Sequence, residues 1–167
     1  MNKTKKITYT AVLTAMLFVL SMLEAALPLE AVLPMGVKIG LANIAVMYGV
    51  FFISKKTGVY LAVCKGLFAF VTRGFTAAVL STSGSLLSIF AVILLITIFK
   101  EKISYMALCI ISAVCHNIGQ VIAISVLLSG AYFFYLPVLI VSGIIMGIVT
   151  GTVLRAVMPA LGKIMKN

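Results

Sequence analysis

Aspartate and tryptophan are missing from this 167-residue chain, and only three acids, Glu24, Glu30 and Glu101, stand against thirteen lysines and arginines. Without aspartate the chain cannot build the aspartate-rich clusters that hold magnesium around a diphosphate. Histidine occurs once, at His116, and Cys64, Cys109 and Cys115 show no Cys-x-x-Cys spacing, so neither a zinc site nor a disulfide framework is implied. The three cysteines read as small packing residues. No Walker A pattern is present, so the chain has no phosphate cradle for ATP. With 10% charged residues it is also too poor in charge for an ordinary soluble domain.

Apolar sequence fills the space. Hydrophobic residues make up 63% of the chain and the mean hydropathy is +1.29. A helix needs about 20 apolar residues to cross a bilayer, and such stretches run over about 7–27, 36–54, 58–80, 84–99, 103–128 and 133–158. The expectation is an all-α integral membrane protein: one domain over 1–167, a six-transmembrane-helix bundle with short turns. The breaks fall at Pro28 and Pro34, Lys55-Lys56-Thr57, Ser81-Thr82-Ser83, Lys100-Glu101-Lys102 and Ser129-Gly130. Gly74 and the Ser/Gly cluster leave a second reading open, in which the third and fourth stretches form one re-entrant unit. The basic start and apolar run resemble a signal peptide, but the run is long enough to span and five more follow, so it reads as a retained helix.

Charge gives the orientation. With both termini inside, Lys3, Lys5, Lys6, Lys55, Lys56, Lys100, Lys102, Arg155, Lys163 and Lys166 fall at the cytoplasmic side and Lys38 in an outer loop. The net charge of +10 then serves anchoring at an anionic inner leaflet, with no nucleic-acid surface implied.

Lys65 and Arg73 are the basic residues placed within an apolar span. Counting from Gly58 at about 1.5 Å per residue puts Lys65 roughly 10 Å deep and Arg73 roughly 22 Å deep. Counting from Ile103 puts His116 at roughly 20 Å and Gln120 at roughly 26 Å. Arg73 is therefore expected level with His116, Asn117 and Gln120, with Lys65 nearer the cytoplasm. Glu24, Asn43 and the Ser81-Thr82-Ser83-Gly84-Ser85 run fall in the same outer half.

Two readings stand for these groups. Lys65 and Arg73 could snorkel to the interfaces, His116, Asn117 and Gln120 could tie helices together, and the Ser/Thr run could be a turn and cap. Alternatively they line a pocket, for which Arg73, His116, Asn117, Gln120, Asn43, Lys65, Lys38, Glu24, Ser83 and Ser85 are the candidate ligand contacts. Two cations with so few acids favour an anionic guest. A fourth helix beginning at the Ser/Gly run would add its N-terminal dipole. Gly143, Gly147 and Gly151 form a double G-x-x-x-G, a close-approach face for helix packing. Ala11 and Ala15 give an A-x-x-x-A on the first span.

Pro34-Met35-Gly36-Val37-Lys38-Ile39-Gly40-Leu41-Ala42-Asn43-Ile44 and Ala113-Val114-Cys115-His116-Asn117-Ile118-Gly119-Gln120 resemble the two signature stretches of the Gx transporter family, also labelled heptaprenyl diphosphate synthase component I. Arg73 and Ser85-Leu86-Leu87-Ser88 fall in matching order, so the similarity covers nearly the whole chain. Together with the A-x-x-x-A, the expected topology is similar to the substrate-binding S component of an energy-coupling factor (ECF) transporter.

The resemblance implies a bacterial plasma-membrane protein that is not an enzyme and needs no cofactor. It would bind a small, vitamin-like anion beneath a loop spanning roughly Leu27 to Ile39. Its partners would be a transmembrane coupling subunit, docked on a face including Ala11 and Ala15, and two cytoplasmic ATPases that use the ATP. The other label implies a role beside isoprenoid or quinone synthesis, or in a membrane redox complex. Lacking aspartate, the chain cannot catalyse prenyl chain synthesis alone.

Overall fold

The protein was analysed as a computed structural model. It describes residues 2–26, 40–128 and 132–166, except the side chains of residues 101 and 158–166. The described residues form six α-helices: α1 (Lys3–Ala26), α2 (Leu41–Tyr48), α3 (Lys55–Arg73), α4 (Phe75–Phe99), α5 (Tyr105–Leu128) and α6 (Leu136–Lys166). A π-helical turn, Gly49–Ile53, extends α2, and short 3-10 turns occupy Lys100–Lys102 and Tyr132–Tyr135.

Four stretches are long and apolar enough to cross a membrane: Lys3–Ala26, Phe75–Phe99, Tyr105–Leu128 and Tyr132–Val157. The other two helices depart from the six membrane spans expected. The apolar helix Leu41–Ile53 reaches only about 20 Å at 1.5 Å per residue. The 19 residues of α3 include Lys55, Lys56, Lys65 and Arg73, which lower its apolar character.

Consecutive helices pack side by side from α3 to α6, α2 touches both α6 and α3, and α1 covers α2 and α3. The main core lies where these meet, around Leu17, Met47, Leu61, Ile89, Val92 and Leu154. Apolar side chains such as Val19, Val71, Phe90 and Val126 cover the outside, as a bilayer solvent requires.

The break between α3 and α4 falls at Gly74, not at Ser81-Thr82-Ser83. Gly74 has φ 87 and ψ −176, a conformation open to a residue without a Cβ, and its N–H still bonds the Phe70 carbonyl at 3.0 Å. The Ser/Gly run is instead helical and inward-facing. Ser81, Gly84, Ser85 and Ser88 are all buried, at the three- and four-residue spacing of one helix face.

At the opposite end, serines cap two helices. Ser54 Oγ accepts the Thr57 N–H at 3.1 Å, and Ser104 Oγ accepts that of Ala107 at 3.1 Å. That end also carries the start of α1, where Lys3 and Lys6 share a groove with Tyr60, and the α6 segment near Gly151, which lies against Met106. Lys3, Lys5, Lys6, Lys55, Lys56, Lys100, Lys102 and Arg155 thus gather at one end of the bundle, and Arg73 stands at the other.

Candidate functional site

Four contacts set the register of the bundle. Gly66 of α3 lies against Thr82 of α4, where an added Cβ would stand 3.2 Å from the Thr82 Cβ. Gly84 lies against His116 of α5, its would-be Cβ being 2.7 Å from the His116 carbonyl oxygen and 2.8 Å from Nδ1. Ser88 and Ser112 share a hydroxyl hydrogen bond of 2.7 Å, and Asn117 Nδ2 donates to the Leu139 carbonyl of α6 at 2.8 Å. Lys65, Thr82, His116 and Asn117 therefore occupy one level.

The cation level with His116 is thus Lys65 and not Arg73. Lys65 lies about 15 Å along α3 from Lys55, and His116 about 16 Å along α5 from Tyr105. Lys65 is buried in the layer with His116, whereas Arg73 is the exposed last residue of α3, about 12 Å further along. The difference arises because α3 begins at Lys55, three residues before Gly58, and α5 at Tyr105, two residues after Ile103.

Two chains of hydrogen bonds organise the layer. In the first, Lys65 Nζ donates to Asn43 Oδ1 at 2.6 Å, the Asn43 N–H donates to the Gly40 carbonyl at 2.8 Å, and the Gly40 N–H donates to Glu24 Oε1 at 2.7 Å. Gly40 begins α2 with φ 78 and no side-chain cap of its own, so the Glu24 carboxylate supplies both an acceptor and a favourable charge at that N-terminus. The chain ties α1, α2 and α3 together. In the second, Gln120 Nε2 and His116 Nε2 are 3.2 Å apart on successive turns of α5, and the amide donates when the imidazole proton sits on Nδ1.

Ser81 and Ser85 complete the layer. Both hydroxyls are buried and have no hydrogen-bond partner among the described residues. An unpaired buried hydroxyl is costly, so two on one helix face call for a polar partner that the described side chains do not supply. Reading Ser81-Thr82-Ser83 as a break hides Ser81, whereas the three- and four-residue spacing of Ser81, Gly84, Ser85 and Ser88 is the signal that exposes the face.

The remaining candidates are placed as follows. Gln120 lines a cavity of about 140 Å³ with Leu80, Val121, Ile124, Tyr132, Tyr135 and Leu139, on the Gly74 side of the layer. Ser83 is half-buried, and its carbonyl approaches Gly119. Asn117 spends its amide on the tie to α6, so it acts as a brace. Lys38 and the loop of residues 27–39 lie outside the described residues. No dipole from an α4 N-terminus reaches the layer, because that helix begins at Phe75. Gly143, Gly147 and Gly151 lie against Val114, Ile110 and Met106 of α5. Ala11 and Ala15 are both exposed on α1.

The layer thus combines one buried ammonium, one carboxylate at its edge, an imidazole–amide pair and two unpartnered hydroxyls inside an apolar bundle. No group of three or more His, Cys, Asp or Glu side chains that could hold a metal occurs among the described residues. No curated protein and no solved structure matches the chain. The family model for heptaprenyl diphosphate synthase component I matches residues 13–157, from Leu13 in α1 to Val157 in α6, and so takes in every side chain of the layer. The chain is a member of the heptaprenyl diphosphate synthase component I family.

Proposed function

We propose that this protein is the substrate-binding membrane subunit of an ECF-type uptake transporter, with six spans and both termini in the cytoplasm. Its ligand is a small organic anion, held at the level of Lys65, His116 and Gln120. The observation that carries this reading is the pair of buried, unpartnered Ser81 and Ser85 hydroxyls in the same layer as a buried lysine. Helix glue alone leaves no reason for polar groups to face each other's neighbourhood without bonding. Lys65 supplies the charge for a carboxylate or phosphate, Gln120 and His116 supply directional hydrogen bonds, and the serines accept or donate as the ligand requires.

In this reading the coupling subunit docks on the α1 face that includes Ala11 and Ala15, and two cytoplasmic ATPases drive the cycle in a bacterial plasma membrane. Native mass spectrometry of the purified protein tests the core of the proposal. A co-purified small anion that is released from a Ser81→Ala/Ser85→Ala variant supports it. An empty wild-type protein, or an adduct indifferent to those serines, counts against it.

The family description favours a second reading, a noncatalytic membrane partner of a prenyl diphosphate synthase. Copurification of a soluble synthase subunit, with no small-molecule adduct in the layer, would select that alternative.

A further inference from the structure

A second concavity lies away from the polar layer, at the lysine-rich end of the bundle. It is a groove of about 740 Å³ between the π-helical turn after α2, the end of α4 and the start of α5. Phe51, Ile96, Ile103 and Leu108 give it an apolar wall, and Ser54, Lys55 and Lys100 line it beside them. Lys55 Nζ donates to Thr97 Oγ1 of α4 at 3.0 Å and keeps further N–H donors for an oxyanion. Lys100 has φ 50 and ψ −123, the single positive-φ residue other than glycine among those described. The groove wall includes the π-helical turn, a departure from α-geometry that recurs at functional sites. Phe51 and Phe52 pack edgewise and stacked on Tyr105, which gives the groove a rigid aromatic shoulder at the membrane boundary.

We propose that this groove binds an anionic phospholipid. The phosphate sits between Lys55 and Lys100, and the first part of an acyl chain runs along Ile96, Ile103 and Leu108. Charge complementarity selects the headgroup, because the described rim carries two ammonium groups; the Glu101 side chain lies outside the described residues. The apolar walls select a lipid over a free phosphate ester, since a small hydrophilic phosphate would leave them wet. Basic pockets between membrane helices recognise lipid headgroups by this combination. The inference is independent of the ligand assigned to the polar layer.

The test uses the full chain in detergent with equal amounts of phosphatidylglycerol and phosphatidylcholine of matched acyl length, read by native mass spectrometry. Wild-type protein is expected to retain phosphatidylglycerol preferentially, and the preference is expected to fall by roughly fivefold for each lysine removed in Lys55→Gln and Lys100→Gln. Lys3→Gln/Lys6→Gln removes the same charge from the same end outside the groove and is expected to keep the preference. Three results would overturn the proposal: no preference in the wild type, an undiminished preference in Lys55→Gln/Lys100→Gln, or an equal loss in Lys3→Gln/Lys6→Gln. Displacement of the bound lipid by sn-glycerol 3-phosphate at comparable concentration would also overturn it, reassigning the groove to a soluble phosphate ester.

Discussion

Lys65 is held at the centre of the bundle by a 2.6 Å bond to Asn43, and its burial is what makes it a sensitive probe. A charge-assisted hydrogen bond in a buried site is worth about 1.5–3 kcal/mol, which corresponds to roughly tenfold to a hundredfold in affinity if a ligand shares the ammonium. Lys65→Met is therefore expected to weaken ligand retention by that factor while the protein stays inserted and monodisperse. Arg73→Ala, at an exposed helix end, is expected to change retention by less than about threefold, as rim charges do. Equal losses in both variants, measured by titration of the co-purified compound, would return Arg73 to the binding layer. Lys65, Asn43, His116 and Gln120 were legible in the sequence because a polar side chain in an apolar run has to face inward. Their relative depth was not legible, because it depends on where each helix starts to within two or three residues.

At the scale of elements, the glycines decide how closely helices approach, and sequence gave them two opposite meanings. Gly74 opens the chain between α3 and α4, whereas Gly66 and Gly84 let α3, α4 and α5 touch without a gap. A Cβ at Gly84 would press on the His116 carbonyl and ring, so the imidazole owes its position to this absence. The Ser81-Thr82-Ser83 segment looked like punctuation because small polar residues mark turns in soluble proteins. Within lipid the same residues are helix-contact residues, and only their spacing tells the two uses apart. The α3–α4 register makes a sharp test. In a background with Cys64, Cys109 and Cys115 replaced, Gly66→Cys/Thr82→Cys is expected to crosslink readily on mild oxidation, since the would-be Cβ at 66 lies 3.2 Å from that of Thr82. A chain that turned at 81–83 would place residue 82 at the far end of the helices and give no crosslink on a reducing and non-reducing gel pair.

Across the whole molecule, the lysines and Arg155 that gather at one end, opposite Arg73, turn a one-dimensional charge pattern into a polarity of the bundle. Their grouping follows from antiparallel packing, which returns the end of α4 and the start of α5 to the level where α1 and α3 begin. A bilayer with an anionic inner leaflet draws such an end inward by about 1 kcal/mol for each basic residue near its surface, a total that outweighs Arg73, the basic residue at the opposite end among the described residues. In the orientation that the proposed function adopts, the cavity beside Gln120 lies on the outer side of the polar layer and the lysine-lined groove lies towards the cytoplasmic leaflet, where anionic headgroups are available. Both assignments depend on the same orientation, so one measurement constrains them together. In the cysteine-replaced background, Thr76→Cys at the exposed start of α4 is expected to react with a membrane-impermeant maleimide in intact cells. Ser104→Cys, exposed at the start of α5, is expected to react only after permeabilisation. The reverse pattern would turn the bundle over, leaving the polar layer open to the cytoplasm and incompatible with capture of a ligand from outside.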